Sequence, residues 1–391
     1  MSKYNFDEII ERKNTNSLKH DFAVERGLPE DVLSFWVADM DFKMPVEIIQ
    51  KLVERSEHGI FGYTGIKEDY IKVLQNWFLR RFDFKFSKED VVLTPGVVFA
   101  ICSAIRSLTA EGDVVMIQSP VYYPFSQSIV KNNRILVTNS LIYKEGKYVI
   151  DFEDFENKIK SNNVKLFILC NPHNPVGRVW TYEELTQMGD ICLKYEVLVF
   201  SDEIHADFIY TGYKHTVFET IKPEFRDITI TATAPSKTFN IAGLQISNVF
   251  IKNKEIKRKV KKEISKTGYC EINTMGMIAC QAAYEHGETW LEELKVYLES
   301  NLRNIRVFLK DKLPQIKLVE PEGTYLVWLD FKELNLNNEQ LQNLIVHKAK
   351  LWLDAGTMFG PEGEGFQRIN IATPWSKIEQ ALMNLERAIK A

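Results

Sequence analysis

Three residues far apart in the chain carry complementary chemistry. Lys237 stands in APSKTFN (Ala234–Asn240), Asp202 in SDEIHADF (Ser201–Phe208) and Asn174 in NPHNPVGR (Asn171–Arg178). A lysine amine attacks an aldehyde only after losing its proton, which a free lysine of pKa about 10.4 seldom does at neutral pH. The small and apolar residues Thr238 to Gly243 supply surroundings that could desolvate it. Asp202 follows the apolar run VLVF (Val197–Phe200), so its carboxylate emerges at a strand end. A buried acid there must be paired or neutralised, and a protonated ring nitrogen is a fitting partner. An amide at Asn174 could donate to a phenolic oxygen on the same ring.

Together these three are what pyridoxal 5′-phosphate (PLP) requires of a protein. Each alone has a plainer reading: a surface lysine after a serine, a helix-capping acid, a tight Asn-Pro-Gly turn with two X-Pro bonds, one of which could be cis. Other residues extend the set. Thr94-Pro95-Gly96-Val97-Val98 opens a helix after a strand, and free N–H groups there suit a phosphate ester. Tyr122, in SPVYYPF, could stack on a flat pyridine or be ordinary core. Arg368, in FQRINIATP, needs a carboxylate if it faces inward, supplied by an amino-acid substrate or by a structural ion pair.

These residues need a frame. Seven β-branched runs, beginning near Val91, Val114, Arg134, Lys165, Val197, Asp227 and Ile246, alternate with helix-length amphipathic segments, the pattern of a layered α/β domain. The motifs fall in the turns after the first, fourth, fifth and sixth runs. Ligands of an open parallel sheet gather at the carboxyl ends of its strands, so four loops converge on one crevice. After about residue 285 the texture changes to long charged helices (Thr289 to Leu313, Asn338 to Lys350, Ser376 to Lys390) around strands near Lys317, Thr324 and Gln367. We therefore expect a large domain over 45–285. A smaller α+β domain would be built from 286–391, with residues 1–44 packed on it.

Composition narrows the class. The 391 residues carry 49 basic and 53 acidic side chains for a net charge of −4, which argues against nucleic acid or an anionic membrane as partner and leaves a small molecule. The lysine-rich stretch Lys252 to Lys266 repeats Ile256, Val260 and Ile264 every four residues, an amphipathic helix with a solvated basic face. No apolar run approaches the length of a membrane span, and the first fourteen residues lack the apolar core of a secretory signal. Five scattered cysteines suggest neither a disulfide framework nor a metal site. The expectation is a cytoplasmic enzyme without a metal.

At these motifs the chain resembles fold-type I PLP enzymes of the class I/II aminotransferase family, over most of its length. That resemblance implies Lys237 as the Schiff-base lysine, Asp202 as the pyridinium partner, Asn174 as donor to the phenolic oxygen and Tyr122 as the stacking ring. Gly96, Val97 and Val98 would hold the phosphate, Ser236 would contact the cofactor, Arg368 would hold the substrate carboxylate, and Ala38, in WVADMDF, would contact substrate. Tyr63, in FGYTG, matches the position that reaches the neighbouring subunit's phosphate, which implies a homodimer with shared sites. His205 stands where the family usually has tyrosine, and Gln245 where it usually has a phosphate-binding arginine. With WVADMDF, FGYTG and SDEIHADF, both departures resemble the MalY/PatB-type cystathionine β-lyase (C–S lyase) branch. The activity implied is α,β-elimination from a sulfur amino acid, with Lys237 as general base and His205 near the cofactor or substrate. The alternatives are an aminotransferase or a member of this branch with an added regulatory role.

Overall fold

The computed structural model describes residues 3–391, so Met1 and Ser2 of the expected N-terminal segment lie outside it. Seven runs form one sheet: β1 (Val91–Thr94), β2 (Val114–Ser119), β3 (Ile135–Ser140), β4 (Leu166–Cys170), β5 (Leu198–Asp202), β6 (Thr229–Thr233) and β7 (Ser247–Phe250). Their spatial order is β1-β7-β6-β5-β4-β2-β3, and only β7 runs antiparallel to its neighbours. The expected mostly parallel seven-stranded sheet is thus present.

Strand β4, LFILC, is buried at every position, as a strand covered on both faces must be. Leu166, Ile168 and Cys170 enter one core with helices Val97–Leu108 and Lys254–Lys266. Phe167 and Leu169 enter another, with Phe152–Asn162 and Tyr182–Lys194. In Lys254–Lys266 the buried residues are Ile256, Val260 and Ile264, and Asn253 caps the helix by accepting from the N–H groups of Glu255 and Ile256. Each such burial contributes roughly 1.5–3 kcal/mol, which anchors the helix while its lysines stay in water. Because the strands run parallel, Thr94, Cys170, Asp202 and Thr233 all end at one edge of the sheet.

The C-terminal region forms a four-stranded antiparallel sheet of β8 (Lys317–Val319), β9 (Leu326–Asp330), β10 (Asp354–Ala355) and β11 (Phe366–Asn370), ordered β8-β9-β11-β10. Helices Glu288–Lys312 and Trp375–Lys390 accompany it. The single helix expected over Asn338 to Lys350 is instead an α-helix Asn338–Gln342 followed by a π-helical stretch Asn343–Lys348. Leu344, Ile345 and Val346 are buried in succession there, a wider apolar face than an α-helical stripe provides.

The N-terminal segment meets this region where Leu33–Ser34 pairs in parallel with Leu351–Trp352 and Trp36 stacks on Trp352 at 4.6 Å. It also crosses the carboxyl edge of the large sheet. Asn370 Nδ2 donates to the carbonyls of Val37 and Asp39, and Asn240 Nδ2 to those of Met40 and Phe42. Arg12 and the fully buried Lys19 both pair with Asp39 and Asp41 on this strap. Residues 37–42 are therefore fixed from both sides over the strand ends.

Candidate active site

A cavity opens at that edge. Ten of the sequence candidates line it: Ala38, Gly96, Val97, Val98, Tyr122, Asn174, Asp202, His205, Ser236 and Lys237. Cys170 and Ile204, which no motif singled out, line it too.

Lys237 sits in the short helical turn Pro235–Thr238 that follows β6. Its Nζ donates to the carbonyl of Ala38 at 2.8 Å. Thr238 Oγ1 donates to Asp207 Oδ2, itself paired with Arg81, which fixes the turn from behind. Burial pulls the Lys237 amine down from 10.5 to about 8; Asp39 and Asp202 oppose that fall and Arg368 adds to it. Roughly a tenth of such an amine is neutral at pH 7, far more than of an exposed lysine.

Asp202 ends β5, in register with Cys170 on β4. It is buried, and among the described residues only the N–H of Ile204 donates to its carboxylate. One backbone donor does not offset desolvation, and the carboxyl is pushed up to about 7. This is a buried acid short of a cationic partner.

Asn174 is held by a loop pinned at many points. The Asn171–Pro172 and Asn174–Pro175 bonds are both cis, and Tyr122 N donates to Asn174 O. Gly177 adopts φ +73° against Pro321, where a Cβ would lie 2.9 Å from the proline's own. Arg178 pairs with Glu322 and Glu184. Asn174 Oδ1 accepts from Arg368 Nη1 at 2.8 Å, which leaves the amide's NH2 group to donate into the cavity.

Helix Val97–Leu108 begins at Gly96 with no side-chain cap and no acid in its first turn. Its first N–H groups have no side-chain acceptor and suit an anion. Gln245, where a phosphate-binding arginine was looked for, is exposed at φ +52°. His205 is buried, packed edge-on to Tyr325, and its Nδ1 meets no partner among the described residues. Burial, Lys237 and Arg368 push it down to about 3, so its imidazole is neutral at physiological pH. Tyr325, unnoticed in the sequence, donates its hydroxyl to Ala38 O, the acceptor that also holds Lys237.

Two candidates do not line the cavity. Arg368 lies behind Asn174, where its Nη2 donates to Trp36 O and pairs with Asp354, a residue that no local motif marks. The structural ion pair is thus present. Tyr63 is 95% exposed, beside exposed Ile60 and Phe61, and makes no contribution to its own chain's cavity.

The donor set fits PLP: an under-partnered acid for the ring nitrogen, a depressed lysine for the aldehyde and an uncapped helix N-terminus for the phosphate. The sequence profile described as aminotransferase class I and II matches residues 30–385. The chain belongs to the class I and II aminotransferase family. Within that family it is 42% identical over 385 residues to cystathionine beta-lyase PatB of Bacillus subtilis (strain 168), covering 98% of this chain and all of PatB. Cystalysin of Treponema denticola, whose crystal structure contains PLP, superposes with TM-score 0.96 at 40% identity over 99% of both chains. The PLP-bound C-S lyase of Staphylococcus hominis superposes with TM-score 0.93 at 35% identity, over 99% of this chain and 98% of that one.

Proposed function

We propose that the chain is a PLP-dependent carbon–sulfur β-lyase, cleaving the Cβ–S bond of cystathionine or a cysteine S-conjugate to a thiol, pyruvate and ammonia with one water consumed. The observation that carries this reading is the end-to-end similarity to PatB, joined to a cavity whose charges await that cofactor. When bound, PLP supplies an electron sink for the charge left at Cα.

The chain's own residues do the rest. Lys237 would hold the cofactor aldehyde through Nζ and then take the proton from Cα, a task suited to an amine of pKa about 8. Asp202 would keep the proton on the ring nitrogen, and Asn174 would donate to the phenolic oxygen. Tyr122 would lie against the ring. The N–H groups of Gly96, Val97 and Val98, with Ser236, would hold the phosphate. Neutral His205 offers a hydrogen bond without adding charge. Arg368 would bind the α-carboxylate, and Ala38 O, released by Lys237, would face the substrate.

A two-fold dimer belongs to the same reading. What supports it is Tyr63, exposed with Ile60 and Phe61 on one loop and so placed to serve a second copy's phosphate site. A division into a large domain over 45–285 and a small one over 1–44 plus 286–391 is supported by the two sheets. A cytoplasmic location is supported by five unpaired cysteines; among the described residues no helix is long and apolar enough to cross a membrane.

The test is to give the holoprotein L-cystathionine without any keto acid and follow pyruvate and ammonia over many turnovers. Sustained release supports the lyase. A reaction that stalls and restarts only on adding a keto acid would leave an aminotransferase instead.

A further inference from the structure

Arg368 is nearly saturated before any substrate arrives. Nη1 donates to Asn174 Oδ1, and Nη2 donates to both Trp36 O and Asp354. Nε meets no partner among the described residues, although it is buried. A guanidinium has two edges that grip a carboxylate with two parallel bonds, Nη1 with Nη2 and Nε with Nη2. Both edges use Nη2, and both protons of Nη2 are committed. A substrate carboxylate therefore cannot be held bidentately unless Trp36 O or Asp354 lets go.

Asp354 is the chemically equivalent group. It stands directly across from Arg368 in the register of β10 and β11, and both side chains are almost wholly buried. The pairing is thus built into the sheet. The carbonyl of Trp36, by contrast, belongs to the segment tied down by Trp352 and Asn370.

We propose that Asp354 is a specificity-determining residue: a resident carboxylate that occupies Arg368 until the α-carboxylate of an amino-acid substrate exchanges for it. The inference rests on Arg368 being the carboxylate clamp. Ligands without a carboxylate cannot drive the exchange, so they leave the clamp closed on itself. The exchange also moves the guanidinium that holds Asn174 Oδ1, which carries carboxylate binding to the amide facing the cofactor ring. Asparagine at 354 keeps an oxygen acceptor for Nη2 but removes the competing charge, so exchange becomes easier.

The experiment compares wild-type and Asp354→Asn holoenzyme through the inhibition constants of L-alanine and its decarboxylated counterpart ethylamine against L-cystathionine turnover. Wild type is expected to prefer L-alanine. The variant is expected to enlarge that preference by roughly fivefold, by tightening L-alanine alone, and to lower KM for L-cystathionine. A preference that is unchanged or smaller in the variant overturns the role of Asp354, because a purely orienting carboxylate would weaken the clamp on removal. Equal binding of both amines by wild type overturns the clamp reading itself. Should Asp354→Asn fail to fold, a crystal structure of wild-type holoenzyme with L-alanine decides the matter. Arg368 Nη2 on the ligand and off Asp354 supports the exchange; Nη2 still on Asp354 contradicts it.

Discussion

Inside the cavity, around Lys237, buried ionisable groups have too few partners; behind Asn174, the Arg368 guanidinium has nearly all it can use. Asp202 receives one backbone N–H and Lys237 one carbonyl, whereas Arg368 is met by an amide, a carbonyl and a carboxylate. Burial leaves its mark in the cavity, raising Asp202 to about 7 and lowering Lys237 to about 8. The contrast separates two kinds of ligand. On the proposed reading, a resident cofactor would complete charges the fold leaves open, while a substrate that comes and goes would meet a group already satisfied by a stand-in.

The largest expected effect is at Lys237. Lys237→Ala should lower kcat for pyruvate release by about 10³-fold or more, since on the proposed reading Lys237 is both the anchor and the base. Steady-state assay at saturating PLP reads this, and near-normal turnover would break the first half of the comparison. Asp202→Asn should lower kcat by about 10²-fold, because a neutral amide cannot hold the ring nitrogen protonated. Val98→Asp places an anion at the uncapped start of Val97–Leu108. It should weaken PLP binding about tenfold while leaving the apo protein as stable or slightly more so, a pairing that fluorescence titration and thermal melts can check. The smallest effect concerns scaffold: Gly177→Ala, forced against Pro321 at positive φ, should cost roughly 1–3 kcal/mol in urea unfolding.

The large sheet was legible because short apolar or β-branched runs such as VVLT, VVMIQS and LFILC recur between helix-length amphipathic segments, as strands covered on both faces do. Lys237, Asp202 and Asn174 were legible because each stands in a turn at a strand end. Asp354 was not, since its meaning comes from a two-residue strand placed opposite Arg368, and no local pattern encodes that register. The strap over the cavity was hidden for a different reason: its working atoms are the carbonyls of Ala38, Met40 and Phe42, which carry no side-chain signature. Asn240, inside APSKTFN, was in view but unread as the residue that ties the strap to the lysine turn.

The under-partnered groups also set how the apo protein responds to pH. Between pH about 4 and 7 the folded chain keeps a proton on Asp202 that the unfolded chain has shed, so stability falls as pH rises and the full penalty stands above pH 7. Lys237, pulled down from 10.5 to about 8, carries its full penalty below pH 8 and recovers as pH rises towards 10.5. Both penalties are complete between pH 7 and 8, so these two groups make the apo chain least stable there.

If PLP supplies what Asp202 lacks, the rise in Tm on adding PLP to apo protein, measured from pH 5 to 7.5 in wild type and Asp202→Asn, will show it. The gain is expected to grow with pH in wild type and to grow much less in the variant. A gain with the same pH dependence in both proteins would contradict it.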